Sequence, residues 1–336
     1  MVAGTDLPVV LVYDVGWSWA PDEEIQQDVN RLASALRALG HPVELLAIDS
    51  ADMLAPLSKY DPAMWVVLNQ CESTPGVSHS YVPMARALEM LKFAYTGSPP
   101  DVLELTECKS RTKQVLARRG VPTPRWRVYS SARVDGWKVF PAMVKPNHTH
   151  FSLGVTSQSV VTSPRELREQ IECILDTFHQ PALVEDFIDG REYSVSLWGN
   201  GTVEMLPPME VDFSAFSAAH DRVYTFEEKF ISTSPYYDCV SLIPAVLSES
   251  EYRTLEQTAK SAYYAVGCRD YARLDIRLRD GVWYVLDVNT NPNLGPDSSV
   301  AYAASLQGYS YGELGSRLVR LAAERHPIFR TGHAKR

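Results

Sequence analysis

Two strand-like runs near the C-terminal end, ARLDIRLR and VWYVLDVN, flank the dipeptide Asp280-Gly281. Both runs alternate apolar and polar residues, as half-buried antiparallel strands do, because successive side chains point to opposite faces of a sheet. An Asp-Gly pair between two such runs is a hairpin signal. The sequence therefore predicts a β-hairpin with one apolar face in the core, and we expect Leu274, Ile276, Leu286 and Val288 on that face.

The register of this hairpin determines which polar side chains can meet. A two-residue turn would put Asp275 and Asp287 on opposite faces, because a shift of one residue reverses the face of every side chain. A three-residue connection, with Gly281 in a bulge of the G1 type, would let both apolar faces pack together. We predict this connection, with Asp275 opposite Asp287 and Arg273 opposite Asn289.

Two directly opposed carboxylates lie about 5 Å apart at Cβ and repel each other; without a cation, one of them would protonate. One interpretation is a structural network in which Arg273 and Arg277 neutralise both charges. The other is a magnesium site, because Asp275, Asp287 and Asn289 offer only oxygen ligands and leave positions for water and phosphate. We favour magnesium together with a nucleotide.

The first hundred residues alternate strands and helices. PVVLVYDVG is a continuous apolar run typical of a buried parallel strand, and an amphipathic helix with an apolar stripe from Ile25 to Leu39 follows it. Two more buried strands, PVELLAID and AMWVVLNQ, precede a helix near residues 82–93. This order predicts a doubly wound, Rossmann-like domain over residues 1–100. The stretch YDVGWSW lacks the G-x-G-x-x-G fingerprint, which disfavours a dinucleotide-dependent oxidoreductase.

The rest of the chain mixes strands and helices without strict alternation. Helices are predicted at KSRTKQVLARRG, from Ser163, from Ser248 to Gly267, and over residues 310–324; serine caps begin the second and third of these. Strands are predicted at RWRVY, FPAMVKP, PALVEDFI and EYSVSLW. We expect two α+β lobes, residues 101–190 and 191–330, packed on the N-terminal domain.

Composition excludes several classes of function. The net charge is -9 and there is no basic run, so no nucleic-acid partner is expected. No stretch approaches the roughly 20 apolar residues that span a bilayer, and the first residues lack the regions of a signal peptide. The five cysteines are scattered without metal-type spacing, which is typical of reduced thiols in a cytoplasmic protein and argues against zinc.

With these motifs in place, the chain resembles the D-alanine–D-alanine ligase branch of the ATP-grasp family, most strongly from about residue 90 to 325. The matching segments, in chain order, are YTGS, ECKSRTKQVL, GVPTP, FPAMVKP, LVEDFIDGREYSV, FEEKF, ARLDI and LDVNTNP. Each is weak alone, and their order and spacing make the set specific. The resemblance implies the ATP-grasp fold: the Rossmann-like domain plus two α+β lobes, with ATP held between the central and C-terminal lobes.

The resemblance also implies roles for the matched residues in nucleotide binding. The phosphates would be held by Lys109, Lys145, Ser152 and, on a mobile loop that closes over them, Lys229. Adenine would be bound largely through the backbone of Glu185, Asp186, Phe187 and Ile188. Glu192 would hold the ribose hydroxyls.

Further roles are implied for the reacting groups. Two Mg²⁺ ions, with Mn²⁺ as an alternative, would be bound by Asp275, Asp287 and Asn289, and Asp287 would bridge them. Arg273 would stabilise charge on an acyl phosphate and on a tetrahedral intermediate. Glu23 would hold the ammonium group of the first substrate, and Ser298 the carboxylate of the second.

The implied reaction has two steps. A substrate carboxylate attacks the γ-phosphate of ATP to give an acyl phosphate and ADP; an amine then displaces phosphate and forms an amide. The partners would be a small-molecule carboxylate and an amino acid, and family members are commonly homodimers.

Several positions depart from the family pattern on the acceptor side. NHTHFSLG, with His148 and His150, replaces a glycine-serine-serine loop. Asn293 replaces a glycine beside the reacting carbonyl, Ser299 replaces a leucine, and Asp297 adds a charge. On the nucleotide side, Asp186 stands where a lysine often contacts adenine, and Asp287 replaces a glutamate.

The residues implied in nucleotide binding match the family pattern, whereas those around the acceptor differ from it. We therefore predict an amino-acid ligase of specialised metabolism. Three alternatives stay open: a D-alanine–D-alanine ligase of peptidoglycan synthesis, a non-catalytic ATP-binding sensor or scaffold, and a kinase that stops after phosphoryl transfer.

Overall fold

The structure is a computed structural model that describes residues 7–16, 22–73, 80–149, 152–216, 218, 222–225 and 239–332. Three sheets and the helices around them make up this part of the chain. No helix in these ranges is long and apolar enough to cross a membrane.

The first sheet is parallel, with strand order β2-β1-β3-β4. Its strands are β1 Val9–Asp14, β2 Val43–Ile48, β3 Val66–Asn69 and β4 Ala94–Tyr95. The helices α1 Asp22–Ala38, α2 Leu54–Leu57 and α3 Val82–Met90 connect them. Every residue of β1 is buried, because alternate residues pack into two separate apolar clusters on the two faces of the sheet. The predicted doubly wound arrangement is confirmed.

The second sheet is antiparallel, with strand order β5-β8-β6-β7. Its strands are β5 Trp126–Tyr129, β6 Ala142–Pro146, β7 Val160–Val161 and β8 Ala182–Asp186. Nearby helices are α4 Pro100–Thr106, α5 Lys109–Arg118 and α6 Pro164–Phe178. Ser163 caps α6 as predicted, since its Oγ accepts a hydrogen bond from the Glu166 N–H at 3.3 Å.

The third sheet contains the predicted hairpin, with strand order β12-β11-β9-β13-β14 and β10 paired to β9. Its strands are β9 Arg191–Trp198, β10 Glu204–Met205, β11 Met209–Asp212, β12 Ser241–Pro244, β13 Tyr271–Arg279 and β14 Val282–Asn289. Helix α7, Glu249–Val266, covers one face; a capping box at Ser248 begins it and Gly267, with φ 87°, ends it.

The last helices are α8 Ser299–Leu306, α9 Tyr311–Arg325 and α10 Pro327–Gly332. Helix α9 packs against α1 and joins the core of the first sheet. A Cβ at Gly312 would lie 2.6 Å from the Ala35 carbonyl oxygen, so only glycine allows this close approach. The end of the predicted 191–330 lobe thus contributes to the first core, and the domain boundaries themselves stay a prediction.

The hairpin has the predicted register: Asp275 lies opposite Asp287, and Arg273 opposite Asn289. The predicted three-residue connection is wrong. Arg279 pairs with Val282, so the turn has two residues, Asp280-Gly281, and both have positive φ.

The extra residue that restores the register lies inside the second strand. Ile276 pairs with Val285 and Asp275 with Asp287, so Leu286 bulges out of the ladder. Because of this bulge, Leu286 leaves the apolar face, and the prediction that it faces the core is wrong. Val288 is buried there as expected.

Candidate active site

The polar face of the hairpin borders two adjoining cavities. The larger, about 480 Å³, lies among the carboxyl ends of β1 and β3, helix α1 and the polar face of the third sheet. The smaller lies between the second and third sheets. Both are lined by Ser152, Glu192, Tyr224, Asp275 and Asp287. The two opposed aspartates therefore stand where the two cavities meet.

All three predicted metal ligands line the larger cavity. Asp275 Oδ1 accepts from Arg273 Nε at 3.1 Å, and Asp287 Oδ2 lies 3.8 Å from Lys109 Nζ. Asn289 Oδ1 accepts from the Asn291 N–H at 3.1 Å, which leaves its second lone pair available. Burial alone would lower the pKa of Arg273, but Asp275 and Asp287 together raise it.

These donors fit a hard cation. Two carboxylates and one amide oxygen face one cavity, and a phosphate or water could complete the shell that Mg²⁺ requires. No cluster of three or more His, Cys, Asp and Glu residues arranged for metal binding is found in the part of the chain that the structure describes. The set therefore suits Mg²⁺ with phosphate ligands better than a metal held wholly by protein.

A buried ion-pair triad lies beside the smaller cavity. Glu185 contacts Lys113 Nζ at 2.7 Å and Lys145 Nζ at 2.6 Å, and all three side chains are at most 10% exposed. Burial alone would raise the pKa of Glu185, but the two ammonium groups hold it below its usual value. Burial likewise would lower the pKa of Lys145, and Glu185 raises it. Sequence reasoning missed Lys113, although its place four residues after Lys109 puts both on one face of α5.

Lys109 is the second buried cation of the smaller cavity. Its Nζ donates to the Thr149 carbonyl oxygen, and burial lowers its pKa despite the attraction of Asp287. Lys109 and Lys145 thus present two ammonium groups to one small cavity. Such a space is suited to a multiply charged anion.

The segment after β8 passes along the same cavity. Glu185, Asp186, Phe187 and Ile188 all line it. Its carbonyls at Phe187 and Ile188 accept from Arg279 and Arg277 at 3.2 and 2.9 Å. Asp186 forms an ion pair with Arg279 at 2.9 Å, which accounts for a carboxylate at this position.

Glu192, the predicted ribose acid, lines both cavities. Its Oε2 accepts from Arg277 Nε at 2.8 Å, so it is held in place from the neighbouring strand. Leu286, displaced by the bulge, also lines the smaller cavity. This apolar wall was not predicted, because its orientation depends on the position of the bulge.

Comparison with known proteins accords with this arrangement. A family model described as "D-ala D-ala ligase C-terminus" matches residues 119–320. The chain belongs to the D-alanine–D-alanine ligase family. It is therefore an ATP-grasp ligase.

Individual relatives cover most of the chain. An uncharacterized protein, y4sG, of Sinorhizobium fredii is 32% identical over 88% of this chain and 87% of its own length. A D-alanine–D-alanine ligase of Alcanivorax borkumensis is 31% identical over 87% of each chain. The crystal structure of the Bacillus anthracis D-alanine–D-alanine ligase complexed with ATP superposes with a TM-score of 0.74, at 18% identity, over 97% of this chain and 99% of that one. The ATP-grasp fold expected from the sequence is confirmed.

The loop that departs from the family pattern is described only in part. Ser152, with φ 59°, lines both cavities, and its Oγ donates to the Tyr224 carbonyl oxygen at 3.3 Å. His148 is exposed and lines neither cavity. Lys229 and His150 lie outside the described residues, so their predicted roles stay predictions.

Helix α1 presents different acids to the larger cavity than the resemblance implied. Glu23 is exposed and does not line the cavity, whereas Glu24 and Asp28 do. Side chains of successive helical residues point about 100° apart around the helix axis. The stripe that faces the cavity therefore includes Glu24, Ile25 and Asp28 but not Glu23. If an acid of this helix contacts an ammonium group, the geometry favours Glu24 or Asp28.

Ser298 lines the larger cavity together with Asp297 and Ser299. It is the N-cap of α8, and its Oγ accepts from the Ala301 N–H at 3.2 Å. The side chain thus stands at a helix N-terminus, where the local field favours an anion.

Glu72 is an acid of the larger cavity that sequence reasoning missed. It is buried, and its Oε1 accepts from Asn293 Nδ2 at 2.9 Å. Burial and the Asp14 carboxylate raise the pKa of Glu72 to about 8, despite opposing effects of Asn293 and Arg273. Its place just after β3 is a usable signal, since ligands of doubly wound domains bind beyond the carboxyl ends of the strands.

Proposed function

We propose that the chain catalyses ATP-dependent formation of a peptide bond between two amino acids through an acyl phosphate, with release of ADP and phosphate. One observation carries the proposal: a small cavity lined by two buried lysines adjoins, at Asp275 and Asp287, a larger cavity lined by Arg273 and several acids. The first cavity suits a polyphosphate and the second suits zwitterions. Their junction is where phosphoryl transfer would take place.

Each group has a task in this scheme. Lys109 and Lys145 hold the phosphates, and Mg²⁺ bound by Asp275, Asp287 and Asn289 would neutralise charge on the transferred phosphoryl group. Arg273 stabilises the negative oxygen that develops on the reacting carbonyl. Two such ions, and the roles given to these residues, are parts of the proposal.

D-alanine is the first substrate to test, because relatives about 30% identical over most of the chain are named D-alanine–D-alanine ligase. A second candidate is a ligase with another acceptor, in specialised metabolism. It is favoured by one observation: the family glycine is replaced by Asn293, whose amide engages a buried acid in the cavity wall.

Release of ADP in the presence of Mg²⁺, measured across a panel of D- and L-amino acids with mass spectrometry of the products, tests the proposal. Turnover with D-alanine alone assigns the first candidate, and turnover with another acceptor assigns the second. ATP binding without ADP release for every amino acid would favour the sensor or scaffold alternative and refute the ligase proposal. A stable phosphorylated product would identify a kinase.

A further inference from the structure

Glu72 connects two segments that both line the larger cavity, the loop after β3 and the segment after β14. Its backbone N–H donates to Asp14 Oδ1 at 2.9 Å, which fixes the loop after β3 to the end of β1. Its carboxylate accepts from Asn293, and Asn291 Nδ2 donates to the Cys71 carbonyl oxygen at 3.0 Å. Two asparagines after β14 therefore hold this loop in place, and Glu72 has a defined position in the cavity wall.

The charges around Glu72 favour the binding of a cation. Among the residues that the structure describes, the titratable and charged groups that interact electrostatically with it are Asp14, Cys71, Tyr81, Tyr271 and Arg273. Arg273, the cation that lowers the pKa of Glu72, also donates to both oxygens of Asp275, at 3.1 and 3.3 Å. Its positive charge is therefore shared, and an ammonium group at Glu72 would reduce a local excess of negative charge.

The connection through Asn293 places Glu72 on the acceptor side. Asn293 belongs to the segment that runs on to Ser298, the residue proposed to hold the carboxylate of the second substrate. Both residues line the larger cavity with Glu72 and Arg273. An amino acid with its carboxylate toward Ser298 would thus have an acid within the same cavity for its ammonium group, beside the arginine that faces the reacting carbonyl.

We propose that Glu72 binds the ammonium group of the acceptor amino acid and takes up a proton from it as the nitrogen attacks the acyl phosphate. This inference rests on the proposed function and adds a residue to it. Proton removal is necessary because an ammonium nitrogen has no lone pair, and a positioned carboxylate is a suitable base. With a pKa of about 8, Glu72 is mostly protonated near pH 7 without a substrate; an ammonium group beside it favours the ionised form, which is then a stronger base than an exposed glutamate.

The ammonium group transfers one proton to the Glu72 carboxylate, and the freed lone pair forms the C–N bond at the carbonyl carbon. The C–O bond to phosphate breaks, and the phosphate leaves with that electron pair. The second proton of the nitrogen passes to the phosphate, which departs as hydrogen phosphate, and Glu72 returns its proton to water.

Glu72→Gln tests the inference with two nucleophiles, an amino acid and hydroxylamine. Hydroxylamine is uncharged at neutral pH, so its attack on the acyl phosphate requires neither an ammonium site nor a base. We expect the dipeptide rate of the variant to fall by about 100- to 10,000-fold, while hydroxamate formation stays close to the wild-type rate. The matched control is Glu210→Gln, which removes a glutamate outside both cavities that pairs with Arg191 at 2.5 Å.

Three other results of this experiment would overturn either the inference or the proposed function. Loss of both products by a folded Glu72→Gln variant would assign Glu72 to the donor step, and retention of both would show that it does no chemistry; either overturns the inference and leaves the proposed function standing. If the wild type forms neither product, the proposed function itself fails. Asn293→Ala gives a second reading should Glu72→Gln not fold: we expect a slower dipeptide rate with unchanged hydroxamate formation, and unchanged dipeptide formation would contradict the inference.

Discussion

Asp275 and Asp287 face each other across the β13–β14 pair, and the bulge at Leu286 is what brings them together. Like charges directly opposite in a sheet are destabilising. The pair nevertheless stands at the junction of two cavities, with Arg273 and Lys109 on either side. The arrangement is expected of a cation site whose charge balance is completed by a ligand.

Asp287→Asn should separate the two effects of this pair. We expect ADP release to fall by about 100-fold or more, because the carboxylate contributes several kcal/mol of charge stabilisation through the metal. Chelation of Mg²⁺ should have the same effect on the wild type. In metal-free buffer the melting temperature of the variant should be unchanged or higher, because a repulsion has been removed. Calorimetric titration with Mn²⁺ and ATP, together with thermal unfolding, checks both; a large loss of metal-free stability would support the purely structural network instead.

Leu286→Ala should weaken nucleotide binding without touching a polar group. Leu286 lines the smaller cavity, and loss of its apolar contact should raise the KM for ATP about 10-fold. Val282→Ala is the matched control, since Val282 lies on the same strand, exposed, beside the turn. Steady-state kinetics at varied ATP concentration measure both. An unchanged KM for ATP would mean that the bulge does not form the wall of the nucleotide pocket.

Glu185→Gln should destabilise the protein strongly, because it leaves Lys113 and Lys145 buried without their counterion. Breaking a buried ion pair in this way costs about 3–5 kcal/mol. The exposed pair of Arg165 and Glu169 provides the control: Glu169→Gln should leave the melting temperature nearly unchanged, because solvent screens this pair. Thermal unfolding of both variants and the wild type measures the difference.

The effect of Glu185 should depend on pH with a defined sign. Its pKa in the folded protein is held below its usual value, so its contribution is present above the unfolded pKa of about 4.3 and is lost as pH falls through the folded value. The gap in melting temperature between wild type and Glu185→Gln should therefore be full near neutral pH and shrink in acid. A gap that is constant with pH would contradict the assigned ion pairs.

Ser298→Ala and Ser310→Ala form a pair that isolates substrate binding from helix capping. Each serine caps a helix, α8 or α9, and each loss should cost about 1 kcal/mol of stability. Only Ser298 lines the larger cavity, so only its replacement should raise the KM for the second amino acid. If both variants show the wild-type KM, Ser298 caps α8 but does not bind the second amino acid.

The sequence predicted those features that depend on periodicity. Alternation placed Leu274 and Ile276 in the core and Asp275 on the opposite face, and serine caps marked the start of α6 and α7. The predicted register of the hairpin was right, but the predicted cause, a three-residue connection, was wrong. Both a bulged turn and a bulge within the strand shift the ladder by one residue, and the alternation of side chains does not reveal which peptide bulges.

Features that depend on tertiary packing could not be predicted from the sequence. The choice between Glu23 and Glu24 depends on how α1 is rotated, which its packing against α9 decides. Glu72 and Lys113 acquire their partners from segments far away in the chain, Asn293 and Glu185. The positions of Glu72 and Lys113 could have indicated that they line the site, but nothing local in the sequence identifies these partners.

The bulge ties two parts of the site to one short stretch of backbone. Leu286 and Asp287 are consecutive residues that both face the cleft, so one peptide unit, about 3.8 Å between Cα atoms, separates a wall of the smaller cavity from a carboxylate at its mouth. A displacement of β14 along its axis would move both together and preserve their spacing. A shift of this strand would therefore change the apolar wall of the smaller cavity and the position of the Asp287 carboxylate at the same time.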